Sequence, residues 1–182
     1  MELKQLTKKV CSISKEVGVF IQHESTKLDS GDIEIKSKNF LVTYVDKTAE
    51  KKLVNFLSAL IPEAGFIAEE GTSDKTGKVY NWVIDPLDGT TNFIHGIPTY
   101  CISIALLKNK ELISGVIYEP NQDEMFYAWK NGGAYLNGKS ISVSSTKKIS
   151  NALLATGFPY YDYKRLDGYM NVLKWLMHNS RG

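Results

Sequence analysis

The residues that most constrain this chain are Trp82 to Phe93, WVIDPLDGTTNF. The stretch opens as an apolar strand, Trp82-Val83-Ile84, and turns acidic at once. Asp85 and Asp88 follow, with Pro86 between them fixing φ and removing a backbone donor. A strand that ends in carboxylates carries them to the edge of a sheet, where a site can open to solvent. Hard oxygen donors so close together suit Mg2+, which takes one or two carboxylates and leaves positions for water and a phosphate ester. Gly89-Thr90-Thr91-Asn92 reads as a helix start, whose free N–H groups form a ready phosphate site. Metal ligands beside a phosphate cradle predict phosphoryl-transfer chemistry. A plain Asp-Gly turn ahead of a helix is the competing account, and DxxDG alone leaves both open.

The longer string narrows the choice. DPLDGTTNF resembles the signature of the inositol monophosphatase family, D-P-[IL]-D-G-T-x-N-F, at every position. Gly65-Phe66-Ile67-Ala68-Glu69-Glu70 is similar to that family's G-[FILS]-[IL]-x-E-E, and LVTYVD, ending at Asp46, is similar to its [LV]-V-T-x-x-D. The resemblance implies a Mg2+-dependent, Li+-sensitive phosphatase using two or three ions. Glu69, Asp85 and the carbonyl of Leu87 are implied to hold one ion, and Asp85 and Asp88 a second. Thr90, oriented by Asp46, and Glu69 or Glu70 are implied to aim the attacking water. Asp88 and the N–H groups of Gly89 and Thr90 are implied to bind the phosphate. A lysine on the preceding loop approaches the site in the family, which makes Lys36 a candidate.

Several of these residues also have ordinary explanations. Thr43-x-x-Asp46 fits a helix capping box, a complete structural account of Asp46 that leaves room for the other. Adjacent glutamates at a strand end are commonly solvated. Because side chains alternate along a strand, only one of Glu69 and Glu70 is expected to face the site. His95 follows a helix start and is read as structural.

Around this centre the expected fold is α+β: a layered sandwich of the sugar-phosphatase type, with two N-terminal helices on a largely antiparallel sheet. Leu3, Leu6, Val10, Ile13, Val17, Phe20 and Ile21 recur at helical spacing over residues 3–24. A second helix begins near Thr43, with Leu53, Phe56, Leu57 and Leu60 as its buried face, and Pro62 ends it. Residues 30–42 suggest a loop or short hairpin, and residues 71–78 an exposed loop. Apolar runs at Cys101–Leu107, Leu112–Tyr118 and Met125–Trp129 read as strands, with a turn at Lys108–Glu111. Asn137-Gly138 is a strong hairpin signal between Ala134–Leu136 and Lys139–Val143. Successive hairpins without intervening helices imply antiparallel pairing. Leu153–Thr156 is a strand candidate, and Asp162 to His178 has a helical period. Domains are expected at 1–148, binding metal and phosphate, and at 149–182, the start of a second α/β domain.

Lys and Arg total 22 against 20 Asp and Glu, a net charge of +2, so no direct nucleic-acid partner is expected. No signal-peptide core or membrane-length apolar run is present, and Cys11 and Cys101 have no metal-ligand spacing, which favours a cytoplasmic protein with reduced thiols. The partners expected are a small-molecule phosphate ester and a second copy of the chain in a homodimer. Thr91-Asn92 differs from the D-G-T-[KR]-[ED]-F of the nucleotide-directed branch and favours an inositol-phosphate-like substrate. A 3′(2′),5′-bisphosphate nucleotidase and a fructose-1,6-bisphosphatase remain the enzymatic alternatives. Outside enzymology, the alternatives are a regulatory partner in a transcription complex and an inactive fragment. The family's W-D-x-A-A-G motif has no counterpart here, since Trp82, Trp129 and Trp175 precede Val83, Lys130 and Leu176. A match to the N-terminal two-thirds of the family, with an incomplete second domain, is therefore expected.

Overall fold

The computed structural model describes residues 2–27, 33–37, 40–159 and 162–182, and of 33–37, 40 and 41 the backbone alone. Seven strands form one sheet in chain order: β3 (Gly65–Ala68), β4 (Tyr80–Asp88), β5 (Cys101–Lys108), β6 (Glu111–Glu119), β7 (Glu124–Trp129), β8 (Gly133–Leu136) and β9 (Lys139–Ile141). Before them, β1 (Ile33–Ser37) and β2 (Phe40–Thr43) pair antiparallel as a separate ribbon. From β4 onward each neighbour is antiparallel; β4 reaches β5 through residues 89–100, which include a short helix, and the later strands are joined by tight turns. Asn109 and Lys110 take φ of 50° and 68°, and Asn137 and Gly138 take 48° and 85°. Positive φ at both central residues matches the right-handed twist of the flanking strands. β9 stops at Ile141, short of the expected Val143.

The β3–β4 pair is the exception, running parallel with Phe66 opposite Trp82 and Ala68 opposite Ile84. Its connection, residues 69–79, is too long for a hairpin, and it is pinned more firmly than an exposed loop. Phe66 N–H donates to Lys75 O at 2.7 Å, Gly77 N–H donates to Asn81 Oδ1 at 2.9 Å, and Gly77 is buried.

The first apolar stripe folds as α1 (Leu3–Ser25), burying Leu6, Val10, Ile13, Val17 and Ile21, with Leu3 and Phe20 partly buried at its margins. It crosses the sheet over β6, where Thr7 and Ser114 share a buried hydroxyl–hydroxyl bond of 2.8 Å. A Cβ on Gly18 would lie 2.5 Å from the ring of buried Tyr118, so this close approach requires glycine.

α2 (Tyr44–Leu60) starts on the Thr43 cap and buries Val45, Asp46, Ala49, Glu50, Leu53 and Leu57. Phe56, expected on that face, is 42% exposed. Counting apolar residues misplaces the face because two of its members are carboxylates. α3 (Thr90–Ile94) is a single short turn after β4.

The chain divides into two compact units, Met1–Ile141 and Ser142–Gly182. The second holds α4 (Leu166–Asn179), which keeps no buried side chain. Leu153–Thr156 does not form the expected strand. Its region makes two backbone bonds to the C-terminal residues, Leu154 N–H to Gly182 O and Arg181 N–H to Ala152 O, too few for a ladder. Among the described residues no helix is long and apolar enough to cross a membrane.

Candidate active site

β4 runs through the acidic motif instead of stopping at Ile84. Asp85 lies opposite Ser103 and Asp88 opposite Cys101, so one extra residue is accommodated between the two aspartates. Pro86, which has no N–H to give a ladder, sits in that bulge, where its cost is smallest. The bulge re-aims the chain, and Leu87 N–H folds back to Asp85 Oδ1 at 3.1 Å. Gly89 then adopts φ +102°, and a Cβ there would meet Thr99 O at 3.0 Å. Glycine at this position lets β4 turn directly into α3.

On the parallel neighbour, β3 ends at Ala68, and Glu69 and Glu70 occupy the turn beyond it. Strand alternation therefore does not govern the pair, contrary to expectation. Glu69 N–H donates to Ile84 O at 3.2 Å, extending the parallel ladder by one step and bringing Glu69 beside Asp85. The two carboxyl groups lie close enough to interact directly. Burial first, then the charge of Glu69 and that of Asp88, pushes the Asp85 carboxyl from 3.8 up to about 7, against the opposing bond from Leu87 N–H. A proton shared between adjacent carboxyls relieves repulsion that a cation would otherwise relieve.

Asp46 joins α2 to this region. It is 1% exposed; its Oδ2 accepts Thr43 N–H at 2.8 Å and the Thr43 hydroxyl at 2.7 Å, completing the capping box. Its Oδ1 lies 2.9 Å from the Thr90 hydroxyl, which is also 3.0 Å from Leu87 O. The capping account and the bond to Thr90 hold together, one oxygen serving each.

Glu69, Asp85, Leu87, Asp88, Gly89, Thr90 and Asp46 are thus linked through the β3–β4 edge and the α2 start. Glu70 is anchored through its backbone, where its N–H donates to Glu50 Oε2 at 2.8 Å. Lys36 lies on β1, and its side chain falls outside the described residues. His95 is exposed at the end of α3. Burial pushes the Cys11 thiol up to about 11; burial and then the charges of Asp88 and Asp85 push Cys101 up to about 12, so neither thiol is a nucleophile near neutrality. Nothing in the motifs points to Glu50, a fully buried carboxylate on α2. The available signal was its place one turn after Asp46, against the Ala49-Leu53-Leu57 stripe.

Among the described residues no three His, Cys, Asp or Glu side chains close into a cage of their own. A pair of mutually repelling carboxyls, with Asp88 and the Leu87 carbonyl nearby, fits a cation that needs few protein oxygens and completes its shell with water and phosphate. Mg2+ is that kind of ion.

Comparison with known proteins agrees with these motifs. The chain is 39% identical over 180 residues to an inositol monophosphatase of Dictyostelium discoideum, covering 94% of this chain and 66% of that protein. It is 38% identical over 174 residues to a Nus factor SuhB of Pseudomonas aeruginosa, covering 93% of this chain and 64% of the relative. It thus spans just under two thirds of the length of these curated relatives. The extragenic suppressor protein suhB of Bartonella henselae superposes with a TM-score of 0.89 at 30% identity, over 98% of this chain and 69% of that one. The profile of the inositol monophosphatase family matches residues 2–180, and with the bulged DPLDG strand and its neighbouring glutamates the chain belongs to that family.

Proposed function

We propose that this chain carries the metal- and phosphate-binding part of a Mg2+-dependent phosphomonoesterase acting on inositol monophosphate or a similar sugar-alcohol phosphate. The observation that carries this reading is the Glu69–Asp85 carboxyl pair, held side by side by the parallel β3–β4 edge with Asp88 one bulge away. Glu69, Asp85 and the Leu87 carbonyl are the groups to hold one Mg2+, and Asp85 with Asp88 a second. When bound, two or three such ions would supply charge that lowers the pKa of water and offsets the negative charge of the phosphate and leaving-group oxygens.

The remaining work falls to the chain itself. Thr90, fixed by Asp46, keeps its hydroxyl oxygen at the mouth of the bulge, where it orients water. Glu69 or Glu70 helps to aim the same water. The N–H groups of Gly89 and Thr90 with Asp88 frame the phosphate, preorganised for charge that grows as the ester bond breaks. Residues 1–148 would form this domain, with 149–182 belonging to the next, and a homodimer in the cytoplasm is the assembly we expect.

The test is phosphate release from inositol 1-phosphate with and without Mg2+, and with added Li+. Turnover that requires Mg2+ and falls with Li+ is expected. Release indifferent to both ions would remove the metal reading.

One relative favours a second reading. The Pseudomonas aeruginosa relative is a Nus factor, which suggests a role as a partner in transcription complexes. Retention of transcription machinery on the chain, unchanged by Asp85→Asn, would support that role.

A further inference from the structure

We propose that Glu50 is a positioning residue for the acidic site: it holds the Glu69–Thr72 turn so that Glu69 meets Asp85. The proposal rests on reading Glu69 and Asp85 as metal ligands. Glu50 is 0% exposed on α2, yet a buried carboxylate in a helix costs free energy that an apolar side chain would avoid. The partners explain its presence. Its Oε2 accepts Glu70 N–H and its Oε1 accepts Thr72 N–H, each at 2.8 Å. Backbone bonds to a carboxylate are among the stronger kind.

The turn has few other supports. The ladder from β4 ends with Glu69 N–H on Ile84 O, and Gly71 N–H, at φ +66°, closes onto Ala68 O at 3.3 Å. Glu50 supplies the two remaining acceptors, so each N–H from Glu69 to Thr72 has a defined partner. Asp46 lies one helical turn earlier and holds Thr90 on the other acidic segment. A single face of α2 therefore fixes both segments that bring carboxylates to the site.

Two variants test this, Glu50→Gln and Glu50→Asp. Glutamine keeps the shape but offers one acceptor oxygen and turns an NH2 donor toward the other N–H. Aspartate keeps the charge and shortens the reach by one methylene. In the metal-free chain, the amide hydrogens of Glu69, Glu70 and Thr72 should exchange about tenfold faster in either variant, while those of Leu53 and Leu57 stay as in wild type. Mg2+ alone, titrated calorimetrically, should bind about tenfold more weakly, the scale of lost support behind a metal ligand.

Exchange at Glu69 that matches wild type, or that rises only in step with Leu53 and Leu57, overturns the proposal. So does failure of both variants to fold, which would make Glu50 a general requirement of the core. Absence of Mg2+ binding by the wild-type chain would instead sink the ligand reading, and the exchange comparison would still decide what Glu50 does.

Discussion

Asp85→Asn is expected to abolish turnover and at the same time raise the thermal midpoint of the metal-free chain. If Asp85 holds the ions as proposed, removing its carboxylate forfeits several kcal/mol of transition-state stabilisation, a loss of about 10³-fold or more in rate. The same change removes a half-buried acid that repels Glu69 and Asp88. Each kcal/mol regained is worth roughly 2–4 °C in a chain of this length.

The gain must depend on pH in one direction. Asp85 ionises near 3.8 when unfolded and near 7 when folded, so between those values the folded state holds the extra proton. Below that window the wild-type chain bears no penalty; as pH rises through it, stability is lost, and above about 7 the full penalty applies. The variant lacks this slope, so the two melting curves should converge near pH 4 and separate by pH 8. Added Mg2+ should close the gap by stabilising wild type alone. Midpoints that stay equal from pH 4 to pH 8 would show that the carboxyl pair is not strained.

Asp46→Ala is the second large effect, and it runs the other way. Asp46 accepts two bonds from Thr43 and one from the Thr90 hydroxyl while almost fully buried. Truncation removes half of a capping box and strands buried donors, together about 3–5 kcal/mol, or a fall in midpoint of roughly 10 °C. Asp46→Asn should cost less, since the amide oxygen can still accept from Thr43, but its NH2 group then competes at Thr90. A double-mutant cycle of Asp46→Ala with Thr90→Val separates the two duties: coupling near zero would leave Asp46 as a helix cap alone.

Much of this arrangement was readable in the residues. The helical stripe from Leu6 to Ile21, the turns at Asn109-Lys110 and Asn137-Gly138, and the sheet of short hairpins follow from periodicity and from residues that tolerate positive φ. What escaped depended on partners distant in the chain. Phe56 looks as buried as Leu57 until the carboxylates of Asp46 and Glu50 are known to occupy the inner face. Glu69 and Glu70 look like strand residues until the parallel pairing with β4 ends the strand at Ala68. The extension of β4 to Asp88 required the bulge around Pro86, since a proline after an apolar run reads as its end. Glu50 carries no motif at all, and its acceptors are claimed by residues 20 and 22 positions away.

The order of strands in the sheet also bears on how the molecule assembles. From β5 to β9 every strand lies beside its predecessor in the chain and is joined to it by a short loop, so that meander can zip at little entropic cost. The acidic centre has no such shortcut: Asp46 reaches Thr90 across 44 residues and Glu50 reaches Thr72 across 22. Substitutions at the β5–β6 hairpin should therefore slow refolding, and those at Asp46 should mainly hasten unfolding, which stopped-flow kinetics would separate. A refolding chain would then meet the repulsion between its clustered carboxyls only after the scaffold that tolerates it is already standing.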